Sequence, residues 1–105
     1  MNSKIRLTQF EIDAITTAFT KYFLSDDHLW VFGSRVDMQK RGGDIDLYVE
    51  TNMNASDVYD KKLNFILDIC DSIGEQKIDV VINTVKDSDK LAIYDQARKK
   101  GVQVK

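Results

Sequence analysis

Along this chain the spacing of apolar residues switches repeatedly between the helical period and the two-residue period of a strand. Ile15, Ala18, Phe19, Tyr22 and Phe23 recur at helical spacing, which predicts a helix from about Thr8 to Leu24 with one buried face. In front of it, Thr8-Gln9-Phe10-Glu11 matches a capping box, in which the Thr hydroxyl and the Glu carboxylate each satisfy an otherwise orphan backbone donor. Leu7 and Ile12 stand at the flanking staple positions, while residues 1 to 6 show no period and read as a loose lead-in. Ser25-Asp26-Asp27 breaks the helix, and His28 to Phe32 is short, aromatic and β-branched, as a buried strand would be. Asp44 to Glu50 alternates, with Ile45, Leu47 and Val49 on one side and Asp44, Asp46 and Tyr48 on the other. Tyr59, Leu63, Ile66, Cys70 and Ile73 predict the buried face of a second helix, with Gly74 as its stop. Lys77 to Asn83 alternates again, Ile78, Val80 and Ile82 opposing Asp79 and Val81. Leu91, Ile93, Tyr94 and Ala97 predict a last helix whose basic end, Arg98-Lys99-Lys100, complements the helix dipole before Gly101. Val102 and Val104 then read as a short edge strand.

That order of helix, strand, strand, helix, strand and helix, with no repeat, linker or low-complexity tract, predicts one domain over residues 1–105. Composition narrows its partners. Fifteen basic against 17 acidic residues give a net charge of -2, and no half of the chain is strongly basic. A nucleic-acid partner held through its phosphates is therefore not expected, because such binding leaves a basic stripe. No apolar run approaches the roughly 18 residues needed to span a bilayer, and the N-terminus lacks the apolar core of a secretion signal. The single cysteine, Cys70, permits no internal disulfide, so a reducing cytoplasm is the expected location.

The chemistry concentrates between Trp30 and Glu50. Asp44 and Asp46, at i and i+2 on a strand, project from one face with Cα atoms roughly 6.5 to 7 Å apart. Both can reach one small volume. Magnesium prefers such hard oxygen ligands and commonly bridges one or two carboxylates to substrate phosphates. Asp79, on a strand that can lie beside the first, offers a third carboxylate. Three acidic groups near one point repel one another, and a cation is the natural way to hold them ionised. Two ions could activate an attacking hydroxyl and stabilise a leaving pyrophosphate. Gly33 at the strand end lets the backbone approach a ligand, and the Ser34 N–H and hydroxyl can donate to phosphate oxygens. Arg35, Lys40 and Arg41 follow in the loop, either as triphosphate contacts or as a solvated basic stretch. Together these parts point to nucleotidyl transfer.

Gly33-Ser34, nine intervening residues, Asp44-Ile45-Asp46 and the later strand residue Asp79 resemble the minimal nucleotidyltransferases (MNT) of the polymerase β superfamily. Among these, the chain is most similar to the MntA-type antitoxins partnered with HEPN-domain toxins. The resemblance runs through nearly the whole chain, to Ile93, Ala97 and Gly101. It implies a polymerase β palm-like α+β fold, a small mixed sheet with helices packed against one face. It also implies an ATP-dependent enzyme with Ser34 on the triphosphate and Asp44, Asp46 and Asp79 holding Mg2+. The acceptor in such relatives is a tyrosine of the HEPN toxin, which receives AMP; others modify small molecules. Here the loop is one residue shorter than is common, and Gly43 stands where serine is frequent.

Other readings of the same residues are less well supported. Ser34 paired with His28, the only histidine, would be a hydrolase nucleophile, but the G-x-S-x-G elbow is missing. His28 also lacks the neighbouring Cys or His that a zinc site needs. Cys70, Trp30 and Phe32 fit core positions, and Tyr48 fits either the core or the rim of the site. A small hydroxylated acceptor, or a module that occludes its partner without catalysis, stands as the alternative to AMP transfer onto a protein.

Overall fold

Thr8 opens the first helix as its sequence predicts: the hydroxyl accepts the Glu11 N–H at 3.1 Å, and Glu11 Oε1 accepts the Thr8 N–H at 2.9 Å. In this computed structural model, which describes residues 5–40, 42–85 and 92–105, that box caps α1, Gln9–Tyr22. Partial burial pushes the Glu11 carboxyl up, but bonds from the Thr8 backbone, Gln76 and the Thr8 hydroxyl, with the Arg35 charge, bring it below its ordinary value of 4.5. A depressed folded pKa contributes stability that is present above the unfolded value and is lost as pH falls through the folded one. Glu11→Gln is therefore expected to flatten the fall in melting temperature below pH 4.5. Parallel melting curves over roughly pH 6 to pH 3 measure this, and equal slopes in both proteins would contradict it.

Residues 5 to 7, just ahead of α1, are held in place, contrary to the loose lead-in expected from the lack of period there, while residues 1 to 4 lie outside the described residues. Ile5 and Leu7 are buried, and Arg6 is tied to the loop after β1 (His28–Phe32). The turn between α1 and β1 is closed by Asp27, a buried carboxylate that accepts the Leu24 N–H at 2.8 Å, the Thr51 hydroxyl at 2.6 Å and the Asn52 N–H at 3.2 Å. Those bonds compensate for the cost of taking its charge out of water.

The remaining elements are a 3-10 turn at Gly33–Val36, β2 (Ile45–Thr51), α2 (Ala55–Ile73), β3 (Ile78–Thr84), α3 (Ala92–Lys100) and β4 (Val102–Gln103). Leu91, assigned by its spacing to the last helix, lies outside the described residues. The strands form one mixed sheet in the order β3-β2-β1-β4, with β2 parallel to β3 and β1 antiparallel to both β2 and β4. The fold class is thus α+β, with three helices on a four-stranded sheet among the described residues. Among the described residues no helix is long and apolar enough to cross a membrane.

The helices do not all lie on one face, as the family resemblance implied. Leu29, Val31, Ile45, Leu47, Val49, Ile78 and Val80 face α1 and α2, where they meet Ile15, Phe19, Phe65 and Ile69 in the main core. Trp30, Tyr48 and Val81 face the other way, and α3 covers them with Ala97 and Tyr94. The aromatic residues on that second face explain the difference: Trp30 and Tyr48, with ring centroids 5.2 Å apart, need a cover, and Tyr94 stacks on Tyr48 at 5.8 Å. The buried face of α2 also differs from expectation. Val58, Phe65 and Ile69 turn inward, with Ile66, Cys70 and Ile73 partly buried beside them. Tyr59 and Leu63 are 75% and 52% exposed. The helix carries two apolar stripes, and the one holding Phe65 is buried because that ring fits edge-on between Phe19 and Phe23 of the first-helix segment, at 6.1 and 5.4 Å.

Candidate active site

Strand alternation places Asp46, Tyr48 and Glu50 on the α3 side of β2, and pairing then selects their neighbours. Asp46 is the register partner of Phe32 on β1 and of Asp79 on β3, so the central aspartate is flanked by a ring on one side and a carboxylate on the other. Adjacent strands lie roughly 4.8 Å apart, which brings Asp46 and Asp79 side by side on one face. Asp44 precedes β2, and its carboxylate lies 3.3 Å from Lys77 Nζ. Asp79 is exposed, while Asp46 is half-buried. Burial first, then the charges of Asp79 and Asp44, raise the Asp46 carboxyl above its ordinary value, and Lys77 partly offsets them. The three predicted carboxylates therefore share one electrostatic neighbourhood.

Gly33 completes that neighbourhood from the β1 side. It takes φ +71, a left-handed conformation, and a Cβ built there would fall onto the Asp46 carboxylate, 3.1 Å from Cγ. Both facts demand glycine. Gly33→Ala is expected to cost about 1–3 kcal/mol from the backbone conformation alone and to displace Asp46 as well. Chemical denaturation measures the first effect; a fully stable alanine variant would contradict the reading.

Ser34 follows in the 3-10 turn, and its hydroxyl donates to the Asp44 carbonyl at 3.1 Å, tying the turn to the start of β2. Gly43, at φ +93, packs against it, and a Cβ at this position would meet Ser34 Oγ and, at 3.0 Å, Ser34 Cβ. The close contact accounts for glycine there. Arg6 holds the same loop from outside: Nε donates to the Asp37 carbonyl at 2.8 Å, and Nη2 donates to those of Ser34 at 2.6 Å and Gly42 at 2.9 Å.

Of the loop's described basic residues, neither Arg35 nor Lys40 is in ion-pair contact with the carboxylates. Arg35 Nη1 donates to the Arg6 carbonyl at 3.0 Å, in a hollow with Ile5, Leu7, Thr8 and Glu11. Lys40 is exposed on the loop, and Arg41 lies outside the described residues. Tyr48 is resolved in favour of the core: it is fully buried, its hydroxyl donates to Glu50 Oε2 at 2.7 Å and accepts from Asn83 Nδ2 at 3.1 Å. Burial, with the adjoining Glu50 carboxylate, raises its pKa far above the usual phenol value. Arg98 lies 3.7 Å from the same carboxylate and 5.5 Å over the Trp30 ring. His28, exposed beside Gln103 and the Lys105 carbonyl, starts β1 while Ser34 follows its end, so no serine–histidine pair forms.

Arg6 and Lys77 are the two site residues the sequence pattern did not single out. For Lys77 a signal existed, since it stands two residues before Asp79, the spacing that puts side chains on one strand face. For Arg6 there was none.

Among the described residues, no three acidic, histidine or cysteine side chains are gathered tightly enough to form a ready-made metal cage. The donor set nonetheless suits magnesium, which uses one or two carboxylates and fills its remaining positions with waters and phosphate oxygens. The space that Gly33 leaves over the Asp46 carboxylate, which a Cβ would fill, fits that use. Neither the protein-family models nor the curated proteins compared with this chain match it.

Proposed function

We propose that this chain is a magnesium-dependent nucleotidyltransferase that moves AMP from ATP to a hydroxyl, with a tyrosine of a HEPN-domain toxin as acceptor, and that it acts as the antitoxin of that partner. The observation that carries the reading is the pairing of Asp46 with Asp79, with Asp44 alongside and the backbone of Gly33 directly over the Asp46 carboxylate. In the transfer, the acceptor oxygen bonds to the α-phosphorus, the bond from that phosphorus to the α–β bridging oxygen breaks, and pyrophosphate leaves. Asp44, Asp46 and Asp79 would hold the magnesium, which supplies charge neutralisation at the triphosphate and the leaving group. Gly33 and Ser34 open the turn that follows β1, and their backbone N–H groups would donate to phosphate oxygens. The acceptor proton would pass to a carboxylate oxygen of Asp79, which is exposed on β3. Exposure of Asp79 and Asp44 to solvent fits an acceptor presented by another molecule.

The test is to incubate the protein with Mg-ATP and the product of the adjacent open reading frame, then weigh that product intact. AMP addition is expected with the natural chain. Its absence, or the same addition by the Asp44→Ala/Asp46→Ala variant, would defeat the proposal. ATP consumption with a small hydroxylated acceptor and no labelled protein would favour the small-molecule reading. Protection of cells by a variant lacking all three aspartates would favour occlusion.

A further inference from the structure

Lys77 enters β3 two residues before Asp79, and its Nζ stands 3.3 Å from Asp44 Oδ2. Its backbone is anchored, because the Lys77 carbonyl accepts the Ile45 N–H at 3.1 Å and so continues the β2–β3 pairing past the strand end. Among the described residues it is the one basic side chain in ion-pair contact with any of the three carboxylates: Arg98 pairs with Glu50, and Lys21 with Asp68. Its ammonium is favoured first by its bond to Asp44 and then by the charges of Asp44, Asp79 and Asp46. The pair is open to water, with side chains 71% and 43% exposed. Exposed ion pairs of this kind are weak and readily exchanged, and lysine holds its charge on a flexible stem.

We propose that Lys77 is the built-in counter-cation of the carboxylate cluster and competes with a divalent cation for Asp44, so that metal binding displaces the ammonium from that carboxylate. This rests on the reading of the cluster as a cation site. Lysine occupies Asp44 when no metal is present, which limits the repulsion among the three acids; a doubly charged ion replaces it, and the released ammonium remains beside the site, within reach of an anionic ligand.

The measurement is calorimetric titration with Mn2+ alone, without nucleotide, of the natural protein, Lys77→Gln and Lys77→Arg, together with melting temperatures with and without the ion. Lys77→Gln is expected to bind Mn2+ roughly threefold to tenfold more tightly, because a positive charge a few ångströms from the ion has been removed. Lys77→Arg, which keeps the charge, is expected to stay near the natural affinity. Without metal, Lys77→Gln is expected to melt below the natural protein, and saturating Mn2+ is expected to close that gap. Measurable Mn2+ binding with equal or weaker affinity in Lys77→Gln overturns this proposal and leaves the cation site standing. No Mn2+ binding by any of the three proteins overturns both.

Discussion

Asp46→Asn is expected to reduce the proposed AMP transfer by about a thousandfold while leaving the protein as stable as the natural chain, or more so. The loss follows from removing a negative oxygen that would hold the magnesium, because a positive contact to the charge developing on the leaving group is worth roughly 10²–10³ in rate or more. The retained stability follows from the other side of the same geometry. Asp46 is half-buried and faces Asp79 across the strand pair, with Asp44 beside it. A neutral amide of the same shape relieves both repulsions. Opposite movement of rate and melting temperature is the signature of a group kept for chemistry at the expense of the fold. Intact-mass measurement of transfer and a thermal melt of the same preparation check the two halves. An asparagine variant that transfers AMP normally, or that melts well below the natural protein, would remove Asp46 from the centre of the chemistry.

Phe65→Ala is expected to be the most damaging substitution to the fold, at about 3–5 kcal/mol. The ring is fully buried and packs edge-on against both Phe19 and Phe23, so its removal opens a cavity where α1, α2 and the sheet meet. Domains of this size have only about 5–15 kcal/mol to lose, and the melting temperature is expected to fall by about 15 °C or more. Tyr59→Ala is the informative control. Tyr59 belongs to the apolar stripe that spacing alone would bury, yet it is 75% exposed, and its loss is expected to change stability by no more than about 0.5 kcal/mol. Comparable losses for the two variants, measured by urea denaturation, would mean that α2 is turned the other way.

The contrast between these residues shows how far sequence pattern reaches. The capping box at Thr8 and Glu11 is a local device, with both partners inside one turn, and it forms as read. Strand alternation is equally local: it sorts Ile45, Leu47 and Val49 from Asp46 and Tyr48 without reference to the rest of the chain. On α2 the pattern is ambiguous, because Tyr59–Leu63 and Val58–Phe65–Ile69 both recur at helical spacing. Only the fit of Phe65 against rings more than forty residues away in the chain chooses between them. The placement of α3 depends likewise on Trp30 and Tyr48 sharing a face that a single helix then covers. Arg6 carries no periodic signal at all; its function is to bind carbonyls at Ser34, Asp37 and Gly42, and a loop's path is decided by tertiary contacts.

What the sequence determined by itself is the succession of helices and strands, the α+β class and the alternation that sets Asp46 and Tyr48 opposite Ile45, Leu47 and Val49, since each depends on backbone periodicity and short-range hydrogen bonding. The tertiary structure decided which acids become neighbours. Parallel pairing in one register sets Asp79 beside Asp46, whereas a one-residue slip would turn it to the opposite face. It also decided that Lys77 reaches Asp44, that Arg35 turns toward Arg6, and that Gly33 lies against the Asp46 carboxylate. These are contacts between segments distant in the chain, and they exist only once the core has fixed how the strands align.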